Sequence, residues 1–151
     1  VKLNISVKYF KTRRTVMKKE RITYLLGRLP IAVSMFGHGL ERMPKLSGFS
    51  HHVVQQFSNA MLPLALVEVF SYALPFLELL TGILLIIGLF TRFAAILGVL
   101  IMVALIFGSS MIEQWENVFT QIIYGICFTL LYYFEPYNYY SIDKLLGRKL
   151  L

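Results

Sequence analysis

Residues 64–90 read LALVEVFSYALPFLELLTGILLIIGLF, a run in which only Glu68 and Glu78 carry charge. It exceeds the roughly 20 residues that a helix needs to cross a bilayer hydrocarbon core. Because lipid offers backbone groups no water, such a run spans as a helix or as part of a closed barrel. Barrel strands alternate apolar and polar residues over about ten positions, and this run is apolar all round. It therefore reads as a transmembrane helix.

Working outward, three more segments resemble it. They cover about residues 22–40, 93–111 and 118–134, the first being the least apolar because it holds Arg28, Pro30 and His38. Composition agrees: 57% of the 151 residues are apolar, 15% are charged, and the mean hydropathy is +0.66. Soluble domains carry about 45–50% apolar and about 25% charged residues. The expected fold class is all-α, an integral membrane four-helix bundle.

The net charge of +7 is placed as a topology signal rather than as a nucleic-acid footprint. Eight of the fifteen Lys and Arg residues lie in positions 1–21. Adding Arg92 between the second and third spans, and Lys144, Arg148 and Lys149 in the tail, puts twelve positive charges on one side. The other side has Arg42 and Lys45, so both termini are expected in the cytoplasm. The chain divides into a basic arm (1–21), the four-span domain (22–134) and a tail (135–151).

The smaller elements follow from local pattern. Residues 50–60 place His51, His52, Gln55, Gln56 and Asn59 on one helical face and Val53, Val54, Phe57 and Ala60 on the other. This predicts an amphipathic helix in the first outer loop. Ser141 is a natural N-cap for a short interfacial tail helix, with Asp143 in its first turn and Lys149 near its end. The alternation in Val1–Val7 suggests an edge strand or surface arm. Tyr132, Tyr133, Tyr137, Tyr139 and Tyr140 suit an inner aromatic belt, with Trp115 anchoring outside.

Four ionisable residues fall inside the first two spans, where each costs about 2.5–3.5 kcal/mol to insert. They are Arg28, His38, Glu68 and Glu78. At 100° per residue, Arg28, Ser34, His38 and Arg42 form one stripe, and Glu68, Tyr72, Pro75, Glu78 and Gly82 another. Two such stripes on consecutive antiparallel spans should face each other. Depth counting predicts an Arg28–Glu78 pair, with His38 and Glu68 as its outer counterpart.

Two readings of that seam stay open: an ion pair that sets helix register, or a polar pocket for a quinone or small anion. Metal is not expected, because no ligand spacing links His38 to His51 and His52, which point about 100° apart. The lone Cys127 allows no internal dithiol chemistry, and no haem, iron–sulfur or dinucleotide fingerprint occurs.

The strings Gly27-Arg28, Phe36-Gly-His-Gly39 with Arg42, Leu77-Glu78-Leu-Leu-Thr-Gly82, and Ile87-Gly-Leu-Phe-Thr-Arg92 fall in order on the spans and turns above. Together they resemble the DoxX family of small four-helix membrane proteins, which includes the membrane subunit of thiosulfate:quinone oxidoreductase. The resemblance runs over about residues 22–145. It implicates Arg28, His38, Arg42, Glu78 and Arg92, and it implies a bacterial or archaeal cytoplasmic membrane.

On that resemblance the expected function is a subunit of a quinone-linked redox system, with quinone as cofactor. Glu78 and His38 would carry protons, and Arg28, Arg42, Glu68, Tyr72 and Arg92 would bind substrate. The expected partners are the bilayer and either further protein subunits or a second copy. The alternative is a non-enzymatic membrane scaffold or assembly factor that recruits partner proteins.

Overall fold

The computed structural model describes residues 2–147, with side chains from residue 17 onward, and every regular element among them is helical. In order these are α1 (Lys2–Arg42), α2 (Leu46–Gln56), α3 (Leu64–Ile87), α4 (Thr91–Met111), α5 (Trp115–Tyr133) and α6 (Ile142–Leu145). Single 3-10 turns occupy Met43–Lys45 and Glu135–Tyr137. α3 and α4 are long and apolar enough to cross a membrane.

Helix α1 corrects the reading of the N-terminus. The stretch expected as an edge strand or surface arm is helical from Lys2, and α1 continues without a break for 41 residues. An isolated strand would leave its backbone groups without a ladder, whereas a helix satisfies them internally. Pro30 sits inside α1, where it cannot donate to the Leu26 carbonyl.

The remaining boundaries shift by a few residues. α3 stops at Ile87 rather than Phe90, because Gly88 takes a left-handed conformation (φ 69°) and Leu89 N–H closes back on the Leu84 carbonyl at 2.9 Å. The loop helix starts at Leu46, four residues before the expected position, because it follows directly on the Pro44-containing turn. It ends at Gln56 rather than residue 60, with His51, His52, Gln55 and Gln56 exposed along it and Phe57 buried just past its end. Ser141 caps α6, its hydroxyl accepting from Lys144 N–H at 3.3 Å. Lys149 and Leu150 lie outside the described residues.

The bundle is two close helix pairs, α1 with α3 and α4 with α5. Backbone proximity sets the first. A Cβ on Gly39 would fall 2.5 Å from the Leu79 nitrogen, and one on Gly82 would overlap the Phe36 backbone. Only glycine permits that approach. In the second pair the fully buried Phe128 ring lies on Gly98, 2.5 Å from where a Cβ would stand. Between the pairs the core is filled by Met35, Leu74, Leu85, Ala94 and Met102.

Candidate functional site

The contacts of Phe36 with Gly82 and of Gly39 with Leu79 fix an antiparallel register along α1 and α3. One turn beyond Gly39, Arg42 comes opposite Glu78. Its Nη1 donates to both carboxylate oxygens, at 2.7 and 2.5 Å. The Glu78 side chain is 5% exposed and that of Arg42 is 23% exposed. Arg42 also lies over the Phe49 ring of α2, 4.8 Å from its centroid, a cation–π contact.

This pair lies in the wall of a cavity of about 480 Å³ at the α2 end of the bundle. Helices α1 to α5 all contribute to its lining, and Phe49, Phe57, Phe70 and Phe107 make much of its surface aromatic. A cavity of 300–1,000 Å³, mostly apolar with a few polar groups, is the usual shape of a small-molecule site. α2 roofs it, held to α3 by a 2.7 Å hydrogen bond between the buried hydroxyls of Ser50 and Ser71. Pro75 is buried one turn before Glu78 and cannot donate to the Ser71 carbonyl.

His38 lines the same cavity from an exposed position on α1. Its Nδ1 donates to the Ser34 carbonyl at 2.9 Å. A carbonyl only accepts, so Nδ1 carries a proton, and Nε2 is the ring nitrogen that this contact leaves unengaged. Ser34 Oγ in turn shares a 2.5 Å hydrogen bond with Tyr124 OH from α5.

Arg28 is placed elsewhere, and the expected Arg28–Glu78 pair does not form. The α1–α3 register puts Arg28 beside Gly88, about ten residues from Glu78 or ~15 Å along the helix axis. Indeed a Cβ on Gly88 would fall 2.5 Å from Arg28 Nη1. Depth counting failed because it set the ends of both spans level, whereas α3 stops at Gly88 and α1 runs on past it. The His38–Glu68 counterpart does not form either, since Glu68 is exposed and His38 bonds to its own helix.

Arg28, only 2% exposed, organises a second polar cluster at the opposite end. Nη1 donates to Asn138 Oδ1 at 2.5 Å and Nη2 to the Tyr140 carbonyl at 2.9 Å. Asn138 Nδ2 donates to Thr91 Oγ1 at 2.8 Å, and that hydroxyl donates to Asp143 Oδ2 at 3.0 Å. Asp143 also accepts from the backbone N–H groups of Phe90 and Thr91, each at 2.9 Å. The tail thereby caps α4, satisfying donors that the helix itself leaves open. Besides any surface role, the tail is built into the bundle.

Of the residues expected at a site, the cavity brings together His38, Arg42 and Glu78. Arg28 belongs to the tail cluster. Arg92 pairs with Glu135 at 2.8 Å, and Glu68 and Tyr72 are exposed on α3 away from the cavity lining. Sequence reasoning missed the wall contributed by α5, where Asn117, Gln121 and Tyr124 line the cavity. Their spacing of four and three residues was a readable signal: a neutral polar stripe on an otherwise apolar helix.

A protein-family model, DoxX, matches residues 23–110, more than half of the chain. The matched segment includes both partners of the Arg42–Glu78 pair, while α5 and the tail lie beyond it. Comparisons with curated proteins and with solved structures gave no match.

Proposed function

Because this chain belongs to the DoxX family, we propose that it is a four-span membrane subunit of a quinone-linked redox system, holding the quinone in the Arg42–Glu78 cavity. In this reading both termini are cytoplasmic and the membrane is the cytoplasmic membrane of a bacterium or archaeon. The candidate spans α3 and α4 support the membrane assignment. So do large apolar side chains left exposed on the helix surfaces, among them Leu66, Val69, Leu100 and Phe119. At about 60 Å, α1 is twice the hydrocarbon thickness, so its basic first half projects into the cytoplasm.

The observation that carries the site assignment is a buried ion pair facing an aromatic-lined cavity of ligand size. A quinone supplies two-electron chemistry coupled to two protons, and a partner protein supplies or removes the electrons. Toward such a ring this chain offers three things. The aromatic side chains enclose the ring. The Arg42 guanidinium edge not engaged by Glu78 can donate to a ligand oxygen. His38 Nε2 and the Glu78 carboxylate can accept protons and pass them on. Arg28 acts in this reading as an anchor for the tail.

Lipid extracted from the purified protein tests the proposal. Quinone should be present in the parent and reduced at least tenfold in Glu78→Gln and Arg42→Met. Quinone retained undiminished by folded variants would remove this cavity as its site. Its absence from the parent would favour the scaffold reading, in which the projecting basic helix recruits partners.

A further inference from the structure

Building on that reading, we propose that Asn117, Gln121 and Tyr124 of α5 form a specificity wall, selecting an uncharged, oxygen-bearing ring over an anion of similar size. The two sides of the cavity differ in chemistry. The α1–α3 side carries charge, and that charge is already cancelled: Arg42 Nη1 engages both oxygens of Glu78. An anion that approaches the open edge of Arg42 also approaches the Glu78 carboxylate, whose like charge opposes it. A neutral ligand meets no such obstacle.

The α5 side supplies amide and hydroxyl groups without net charge. Tyr124 OH and Ser34 Oγ share one short hydrogen bond, in which either can donate. When Ser34 donates, the phenol proton turns to an oxygen atom in the cavity. Gln121 Nε2 donates to Ser109 Oγ at 3.0 Å, while its Oε1 is buried with no hydrogen-bond partner among the described residues. That oxygen only accepts, so an uncharged ring that bears a hydroxyl, such as the reduced form of a quinone, can satisfy it by donating. Asn117 Nδ2 is engaged with Gln114 Oε1 at 2.6 Å, leaving its own carbonyl oxygen as an acceptor.

Depth supports a ligand touching both sides. Ser34 and Tyr124 are level, Arg42 is two turns from Ser34, and Gln121 is about one turn from Tyr124 in the same direction. Gln121 and Arg42 thus differ in depth by about 7 Å and both line the cavity. Sites built to hydrogen-bond a ligand reject analogues that lack the matching group far more strongly than apolar sites reject a change of size. The charged pair lies in the family-matched segment and the α5 wall beyond its end.

Titration calorimetry on the full chain in detergent decides the matter, using 2,3-dimethoxy-5-methylbenzene-1,4-diol, kept reduced under argon, and benzoate as neutral and anionic probes. The neutral ring should bind at least tenfold more tightly than benzoate. Tyr124→Phe, which deletes one oxygen atom, and Gln121→Met should each weaken it about five- to fiftyfold and leave benzoate unchanged. Equal affinity for both probes in the parent, with binding still lost in Arg42→Met, would overturn the wall and leave the cavity reading standing. So would unaltered affinity for the neutral ring in both α5 variants. No binding of either probe to the parent would overturn both.

Discussion

Arg42 of α1 and Glu78 of α3 meet in a forked ion pair because Gly39 and Gly82, each about one turn away, bring the two helix backbones together. Removing Arg42 leaves Glu78 as a buried charge, and removing Glu78 leaves Arg42 as a partly buried one. Glu78→Leu and Arg42→Met should each destabilise the protein by about 2–4 kcal/mol, toward the lower end of the range for broken buried pairs because Arg42 is partly solvated. The double variant should recover much of the loss, which a double-mutant cycle on thermal unfolding in detergent would measure. Additive losses would contradict the pairing.

Glycine positions on α1 and α3 should separate cleanly. Gly39→Leu and Gly82→Val drive a side chain into the opposing backbone, and each should cost about 3 kcal/mol or more. Gly27→Ala and Gly37→Ala meet nothing within 4 Å and should be neutral or stabilising by up to ~1 kcal/mol, through helix propensity. Melting temperatures of the four variants check the contrast. Equal tolerance at all four positions would show that α1 and α3 do not cross at Gly39 and Gly82.

The tail cluster makes a similar distinction at the other end. Asp143→Ala removes the acceptor for two backbone N–H groups and the Thr91 hydroxyl, and should cost about 1–3 kcal/mol. Arg28→Lys should fail to substitute, since one ammonium cannot reproduce the planar fork that reaches both Asn138 and the Tyr140 carbonyl. Faster proteolysis within residues 138–147 in both variants would report the released tail. Unchanged cleavage would place the tail outside the fold's stability.

Sidedness is open to direct chemistry. In a Cys127→Ala background, a cysteine at the exposed position of His52 should react with an impermeant maleimide added outside the cell. One at Lys18 should react only after the membrane is opened. The reverse pattern would invert the proposed orientation.

What could be read from the sequence, and what could not, divides at the point where one segment meets another. Helix number, the amphipathic face of α2, the Ser141 cap and the family resemblance all follow from patterns contained within a single stretch, which local periodicity reports faithfully. The same periodicity put Arg28 and Arg42 on one stripe of α1 without saying which of them reaches Glu78. That choice is a matter of register between helices. It was made by the close contacts of Gly39 with Leu79 and of Gly82 with Phe36, and by the left-handed turn at Gly88 that ends α3 early.

The sequence by itself therefore determined an all-helical chain with apolar spans and a short set of charges needing partners, because insertion cost and helical period act residue by residue. Only the tertiary structure decided that Glu78 takes Arg42, that Arg28 instead holds the tail, and that Asp143 caps a helix some fifty residues before it. Partners so distant in the chain are chosen by how closely two backbones can approach, and no single segment contains that information.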